Sequence, residues 1–234
     1  MKDFLSIRMR MNASLVPEGA RVADIGCDHG YVAIWLVKEK KCPHVIATDV
    51  NEGPIRRAQK NISDAREDDR IEIKLGDGLS VIDPDDVDVI LIAGMGGMRI
   101  CEILSAGMDV IKDKTLILQP QSDIEEVRRH LHKVGFRIDR ESICLDDGKY
   151  YFAIRAVPGQ EERPYSDTEY RYSRLLSEEG GTVYRSYIRD MINKVGDILE
   201  SLKNVEAVVD SDGRLAKRRE ELEQMLLIFK EHAR

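Results

Sequence analysis

Residues 21–31 read RVADIGCDHGY, and this stretch decides the predicted fold. RVADIG is typical of a short buried strand, because its residues are mostly apolar and a glycine ends it. The residues that follow, YVAIWLVKEKK at 31–41, favour a helix. A strand, a glycine-containing loop and a helix in this order predict the first β-α unit of an α/β domain.

Further β-α units are predicted downstream, as far as Val157. The predicted strands are HVIATDV, IEIKLGDGL, VDVILIAG and TLILQP. A helix is predicted after the last of them, with Ser122 as its N-cap and Gly135 just beyond its end. The sequence DDG at 146–148 predicts an antiparallel hairpin between the final two strands. We therefore expect a doubly wound α/β sheet that is mostly parallel, with one antiparallel strand.

A different pattern follows a predicted linker at 158–164. Apolar side chains recur there at alternating spacings of four and three, which is a heptad pattern. They are Tyr184, Ile188, Met191, Val195, Ile198, Leu202, Val205 and Val209. The sequence DSDG at 210–213 interrupts this pattern before a second predicted helix. We expect domains at 1–158 and 159–234, the second being an α-helical hairpin or coiled coil. The heptads allow the helices to pair within one chain or between two chains. We expect a monomer rather than a homodimer.

The composition excludes several classes of protein. No run of about 18 apolar residues occurs, so a membrane span is not expected. The N-terminal residues are charged throughout and do not resemble a secretory signal, which favours a cytoplasmic location. The four cysteines form no C-x-x-C pair, and no metal site is predicted. The net charge of −7 argues mildly against a nucleic-acid partner, unless folding forms a basic patch.

Two groups of basic residues in the C-terminal region are candidates for such a patch, although solvated helix faces explain them equally well. The groups are Arg171, Arg174, Arg185 and Arg189, and Arg214, Lys217, Arg218 and Arg219.

The predicted strand ends carry the candidate site, because ligands of open α/β sheets bind at the carboxyl ends of the strands. Asp28 stands where a dinucleotide-binding loop has its middle glycine, and its charge would repel a pyrophosphate. Asp49 could accept both hydroxyls of a ribose, or cap the following helix. Asp77, between two glycines, could accept from an adenine amine or form a turn. The glycines at 94–97 suggest a close approach to the backbone.

These motifs resemble those of class I S-adenosyl-L-methionine (SAM)-dependent methyltransferases, whose Rossmann-like sheet ends in antiparallel strands. More narrowly, ADIGCDHGY, IATDVNEGP, GDGL, IAGMGG, LILQPQ and DDGKYY resemble segments of the bacterial TrmK family. The resemblance covers about residues 5–157, and the family also has a long helical hairpin. It implies a tRNA (adenine-22)-N1-methyltransferase with SAM as cofactor and tRNA as partner.

The resemblance also implies roles for individual residues. Asp24 would position the methionine part of SAM, Asp49 the ribose and Asp77 the adenine, and Arg8 would bind a carboxylate or phosphate. The full set implied for the cofactor is Arg8, Asp24, Gly26, Gly30, Asp49, Val50, Gly76, Asp77, Gly78, Ala93, Gly94, Met95 and Gly96.

Asp28, His29 and Tyr31 would meet the target base and are the candidate catalytic residues. Asp28 could stabilise the positive charge of the product ring. Structural roles compete for all three: a cap of the following helix for Asp28, backbone hydrogen bonding for His29 and helix packing for Tyr31.

Three other functions remain open. The same fold could methylate a small molecule, a protein or another RNA. A nicotinamide dehydrogenase is disfavoured by Asp28, and a coiled-coil interaction module by the acidic residues at successive strand ends. The fourth strand lacks the Asn/Asp-Pro-Pro-aromatic loop of many amino-directed adenine methyltransferases, which disfavours N6 as the target and is compatible with a ring nitrogen.

Overall fold

A computed structural model describes residues 5–39, 41–205 and 214–232. By its contacts the chain forms two compact units, Met1–Arg171 and Tyr172–Arg234. The first unit contains a single sheet, and the helices of the second begin after it.

The sheet of the first unit has seven strands in the order β3-β2-β1-β4-β5-β7-β6. The strands are β1 Val22–Ile25, β2 Val45–Asp49, β3 Ile71–Leu75, β4 Val89–Met95, β5 Thr115–Pro120, β6 Phe136–Asp146 and β7 Lys149–Pro158. β1 to β5 pair in parallel, and β7 is antiparallel to both of its neighbours. The predicted doubly wound sheet with one antiparallel strand is confirmed.

Helices precede, connect and follow the strands of the first unit. They are α1 Ile7–Ser14, α2 Tyr31–Lys38, α3 Glu52–Ala65, α4 Gly97–Ala106, α5 Met108–Ile111, α6 Ile124–Lys133 and α7 Asp167–Tyr172, with a 3-10 turn at Pro84–Asp86. α7 ends one residue into the second unit.

The central strands are apolar because the helices cover both faces of the sheet. All four residues of β1 are buried, as are residues 89–92 of β4. β3 lies at the sheet edge, where Ile71 is buried and the other residues are partly buried or exposed. The strand order reverses between β1 and β4, which places the topological switch point at their carboxyl ends.

The predicted start of α6 is wrong by one residue. Its N-cap is Asp123, in a left-handed conformation at φ 53°, and no side chain caps this helix end. The Ser122 hydroxyl instead donates to the Asp123 carboxylate at 2.6 Å. The Ser122 hydroxyl therefore bonds the Asp123 carboxylate and does not cap the backbone N–H groups of α6, as the sequence pattern predicts.

The segment after β7 contacts both α6 and β6. Glu161 accepts from the backbone N–H of Ile138 at 2.8 Å, and Asp167 accepts from Arg129 at 2.8 Å. These contacts group the segment up to Arg171 with the first unit. The predicted division into domains at 158/159 stays a prediction.

The second unit consists of helices, as predicted. α8 Arg174–Glu179 precedes the long helices α9 Thr182–Val205 and α10 Arg214–His232, which pack against each other. The heptad residues Tyr184, Ile188 and Val195 are buried. Val209 and the interruption at 210–213 lie outside the described residues. In the described ranges no helix is both long and apolar enough to cross a membrane.

The basic groups of the C-terminal region differ in their surroundings. Arg174 is buried and is therefore not an exposed phosphate ligand. Arg171 bonds Glu125 at 3.1 Å, but its side chain remains half exposed. Arg185 and Arg189 are exposed on α9. Arg219 bonds Glu223 at 2.9 Å. The side chains of Arg214, Lys217 and Arg218 lie outside the described set.

Candidate active site

A cavity of about 570 Å³ opens at the carboxyl ends of β1 to β5. The parallel strands bring their ends to one edge of the sheet, so residues far apart in sequence meet there. The predicted residues that line it are Arg8, Asp24, Gly26, Asp28, Asp49, Val50, Gly76, Asp77, Gly78, Ala93, Gly94 and Met95.

Four predicted site residues are not among those that line the cavity: His29, Tyr31, Gly30 and Gly96. Gly30 is the N-cap of α2 at φ 70°, and a Cβ there would lie 3.3 Å from that of Ala58. Gly96 is the N-cap of α4. Both glycines therefore begin helices at the site, and their contact with a ligand stays a prediction.

A side chain at Gly26 would collide with Met95. It has a φ of 75°, and a Cβ added there would lie only 2.2 Å from Cε of Met95. The methyl group of Met95 thus covers the bare backbone after β1. At Gly76 an added Cβ would lie 2.2 Å from Cγ1 of Val81. The glycines allow close packing beneath the cavity as well as access to it.

Asp24 is a buried carboxyl group in the cavity wall, 4% exposed. Burial raises its pKa to about 7, because the ionised carboxylate loses its hydration. Within the described part of the chain, no hydrogen bond or ion pair reaches this carboxylate. A cation that entered the cavity would favour its ionised form.

Asp49 and Asp77 each use one carboxylate oxygen in the protein. Oδ1 of Asp49 accepts from the backbone N–H of Asn51 at 2.9 Å, next to the start of α3. Oδ1 of Asp77 accepts from Arg99 at 2.8 Å, and Arg99 also bonds Glu102 at 3.1 Å. Among the described residues, the Oδ2 atoms of both aspartates have no hydrogen-bond partner. Each of the two aspartates can therefore keep its bond within the protein and also bind a ligand through its other oxygen.

Of the three candidate catalytic residues, which are close together in the chain, Asp28 lines the cavity and His29 and Tyr31 do not. Asp28 has a φ of 49° and accepts from Arg57 at 3.0 Å. Its other oxygen lies 3.6 Å from Nε2 of His29, whose ring stacks on Tyr31 with centroids 5.4 Å apart. Asp28 does not cap α2, since Gly30 is the N-cap and has no side-chain bond.

His29 and Tyr31 also have the structural contacts expected of them. The His29 carbonyl accepts from the side-chain amide of Asn61 at 2.9 Å. Tyr31 packs against the hydrophobic core.

Arg8 is anchored by α1 and β6. Its backbone N–H donates to Oδ2 of Asp146 at 3.1 Å, and its guanidinium lies 5.0 Å from the ring centroid of Tyr151. The side chain lines the cavity. A guanidinium in this position can bind an anionic group that enters near α1.

Three buried polar residues of the cavity wall were missed by the sequence analysis. They are Asn12 on α1, Thr48 on β2 and Gln119 on β5, each at most 1% exposed. Within the described residues, Oδ1 of Asn12, Oγ1 of Thr48 and Oε1 of Gln119 have no hydrogen-bond partner. Buried polar atoms are rarely left unpaired, so these oxygens mark places where a ligand or water completes the structure.

The surrounding side chains do not form a metal centre. In the part of the chain that the structure describes, no group of three or more His, Cys, Asp or Glu side chains could hold a metal ion. All four cysteines are buried thiols without a disulfide. Desolvation of the Cys27 thiol and the nearby Asp24 carboxylate raise the pKa of Cys27, so it remains protonated.

Comparisons with known proteins identify relatives of this chain. A methyltransferase-domain family model matches residues 5–154. A tRNA (adenine(22)-N(1))-methyltransferase from Bacillus subtilis strain 168 is 37% identical over 162 residues, which are 69% of this chain and 68% of that protein.

Two solved structures match nearly the whole chain. The B. subtilis m1A22 tRNA methyltransferase TrmK is 29% identical, with a TM-score of 0.84 over 98% of this chain and 99% of that one. A Streptococcus pneumoniae structure in complex with SAM is 31% identical, with a TM-score of 0.85 over 99% and 100% of the two chains. The resemblance predicted from the strand-end motifs is confirmed.

Proposed function

The chain belongs to the tRNA (adenine(22)-N(1))-methyltransferase family, and we propose that it transfers a methyl group from SAM to N1 of adenine 22 in tRNA. The observation that carries this proposal is the cavity where acidic strand ends and glycine backbone meet. The substrate follows from the name of the B. subtilis relative.

The residues of the cavity fit SAM by charge. Four carboxylates line it, those of Asp24, Asp28, Asp49 and Asp77, against two guanidinium groups. One of the two, Arg99, is already bonded to Asp77 and Glu102. SAM carries an ammonium and a sulfonium group, so an acidic cavity with unpaired buried oxygens suits it.

Each part of SAM has a proposed partner in this chain. Asp24 and Asn12 supply acceptors for the ammonium group, and Arg8 supplies a donor for the carboxylate. Asp49 has one carboxylate oxygen left for the ribose hydroxyls. Asp77 likewise has one left for the adenine amine, and Val50, Gly76 and Gly78 form the adjacent wall.

The chain contributes mainly position and charge to the reaction. When bound, SAM supplies a methyl group on a positively charged sulfur, and the methylated adenine ring becomes cationic. Gly94 and Met95 form the floor on which the reacting groups are brought together, and orientation accounts for much of the rate. The Asp28 carboxylate, at the rim, stabilises the positive ring, while His29 and Tyr31 contact the base.

The target base must leave its stack to reach this cavity, since N1 of a paired adenine is not accessible. Exposed Arg185 and Arg189 of the second unit are candidate contacts for tRNA phosphates. We also propose that the protein acts in the cytoplasm, where tRNA is modified. We propose a monomer as the active form, because α9 packs against α10 of the same chain.

The decisive experiment is methyl transfer from labelled SAM to an unmodified tRNA transcript, followed by nucleoside analysis. We expect N1-methyladenosine, and we expect it to disappear when adenine 22 is replaced by guanine. A protein that bound SAM but methylated no tRNA would contradict the proposal and favour another RNA, a small molecule or a protein as substrate.

A further inference from the structure

Gln119 is a buried amide at the end of β5 whose side-chain oxygen has no hydrogen-bond partner among the described residues. It is 1% exposed and lines the cavity. Its Nε2 donates to the carbonyl of Pro120 at 3.3 Å. This bond orients the amide, because the opposite orientation would bring two oxygens together. Oε1 is therefore held as an acceptor, and no described residue donates to it.

The topology separates Gln119 from the acidic strand ends. Asp24, Asp49 and Asp77 stand at or just after the ends of β1, β2 and β3, which lie on one side of β4. β5 lies on the other side of β4, where Gln119 is level with Ala93. A nucleoside cofactor that spans the three carboxylates leaves the β5 side of the cavity for the methyl acceptor.

We propose that Oε1 of Gln119 accepts a hydrogen bond from the exocyclic amine of the target adenine and so helps select this base. The inference rests on the proposed function and adds to it a specificity-determining residue. In adenine the amine at C6 is next to N1, so an acceptor there places N1 towards the methyl group.

The same contact would reject guanine. Guanine presents an oxygen at C6 and a protonated N1, so it would face Oε1 with an acceptor and would have no free lone pair at N1. A buried acceptor that loses its donor is costly, which makes such a site more selective than an apolar pocket. Orientation by Pro120 strengthens the effect, because Gln119 cannot turn its amide to suit guanine without losing a bond.

The test compares two tRNAs that differ by one amine. One carries adenine at position 22, and the other carries purine, which lacks the amine at C6. Single-turnover methyl transfer is measured for the full-length wild-type protein and for Gln119→Met, which keeps the side-chain length without the acceptor. The intrinsic difference in reactivity of the two bases is the same for both proteins and cancels in the comparison.

We expect the preference for adenine over purine to be about tenfold smaller in Gln119→Met than in the wild type. Gln160→Met is the matched control. Gln160 is exposed and is not among the residues that line the cavity, so its variant keeps the wild-type preference. The affinity of Gln119→Met for SAM, measured by calorimetry, stays within about twofold of the wild type, because the proposed contact is with the base.

An unchanged adenine preference in Gln119→Met would overturn the proposal. So would a preference lost in Asn12→Leu, whose buried oxygen is the alternative acceptor, but kept in Gln119→Met. Weakened SAM binding in Gln119→Met with the preference intact would assign Gln119 to the cofactor instead. These outcomes all require wild-type activity on adenine 22. If the wild type lacks that activity, the proposed function itself fails, and this proposal fails with it.

Discussion

Two groups of buried or partly buried polar side chains in the first unit differ in how far the protein itself satisfies their hydrogen-bonding capacity. The first, the α6 cluster, consists of Arg128, His132, Glu141, Glu161 and Tyr170. Nε of Arg128 donates to Glu141 at 2.8 Å and Nη1 to the Tyr170 carbonyl at 2.7 Å. The His132 ring lies between the Tyr170 hydroxyl, at 2.8 Å, and Glu161, at 3.1 Å.

The second group, the cavity oxygens, consists of the Asp24 carboxylate and the side-chain oxygens of Asn12, Thr48 and Gln119. None of these oxygens has a hydrogen-bond partner in the ranges that the structure describes. Burial costs free energy in both groups, but only the α6 cluster recovers it through internal contacts. The difference indicates that the α6 cluster holds the fold together, whereas the cavity oxygens are completed by a ligand.

The largest expected effect comes from breaking the α6 cluster. Glu141→Gln leaves the Arg128 guanidinium buried without its counter-charge, so we expect the free energy of unfolding to fall by about 3 kcal/mol. Affinity for SAM should not change. Trp35, the single tryptophan of the chain, packs on the core of the first unit, so its fluorescence can follow unfolding in urea.

Glu52→Gln is the control for this prediction. It removes the partner of Arg56 in an exposed ion pair on α3 and should leave stability nearly unchanged. If both variants lost the same free energy of unfolding, the buried ion pair of the α6 cluster would contribute no more to stability than an exposed one.

The second effect concerns binding. Asp49→Ala removes the proposed acceptor for two ribose hydroxyls, and we expect SAM to bind about 100-fold more weakly. Stability should fall by no more than about 1 kcal/mol, because only the bond from Asn51 is lost. Calorimetric titration with SAM measures the first quantity. Asp64→Ala, at an exposed position near the end of α3, should change neither quantity. Unchanged affinity in Asp49→Ala would refute the ribose assignment.

The third effect is a pH dependence of about tenfold. With a pKa of about 7, Asp24 is mostly protonated at pH 6 and mostly ionised at pH 8, so SAM should bind about tenfold more tightly at pH 8. Asp24→Asn should remove this contribution. The SAM ammonium also titrates near pH 8, but it does so for both proteins, and the difference between them isolates Asp24. A variant with the wild-type pH profile would exclude Asp24 as the partner of the ammonium.

The same carboxyl group affects the ligand-free protein with the opposite sign. Its pKa is higher in the folded chain than in the unfolded chain, so the folded state binds the proton more tightly. Its contribution to stability is therefore greatest below about pH 4 and is lost as the pH rises to about 7. Asp24→Asn should be more stable than the wild type at pH 8, as expected of a residue kept for binding.

The sequence predicts the frame of this site better than its interior. Alternating strands and helices place Asp24, Asp49 and Asp77 at one sheet edge, and periodicity is enough for that. The partners of these residues come from tertiary structure. Arg99 reaches Asp77 from α4, and the unpaired state of Thr48 depends on which side chains surround β2. No local pattern carries that information.

The smallest expected effect is a change in stability whose sign differs between hydroxyls with and without a hydrogen-bond partner. The hydroxyl of Thr48 is fully buried and has no partner among the described residues. Thr48→Val removes it without changing the shape of the side chain, so the ligand-free protein should be more stable by about 0.5–1 kcal/mol. The complex loses a hydrogen bond, so SAM should bind about threefold more weakly.

Ser6→Ala is the matched control, because its hydroxyl has a partner. It accepts from the backbone N–H of Met9 at 3.3 Å and caps α1, so its removal should lower stability by about 1 kcal/mol. Urea unfolding of the free proteins and calorimetry with SAM measure both quantities for each variant. A loss of stability in Thr48→Val would mean that its hydroxyl is satisfied without the ligand, for instance by a buried water. Thr48 would then resemble the α6 cluster, and its unpaired oxygen would no longer indicate a ligand contact.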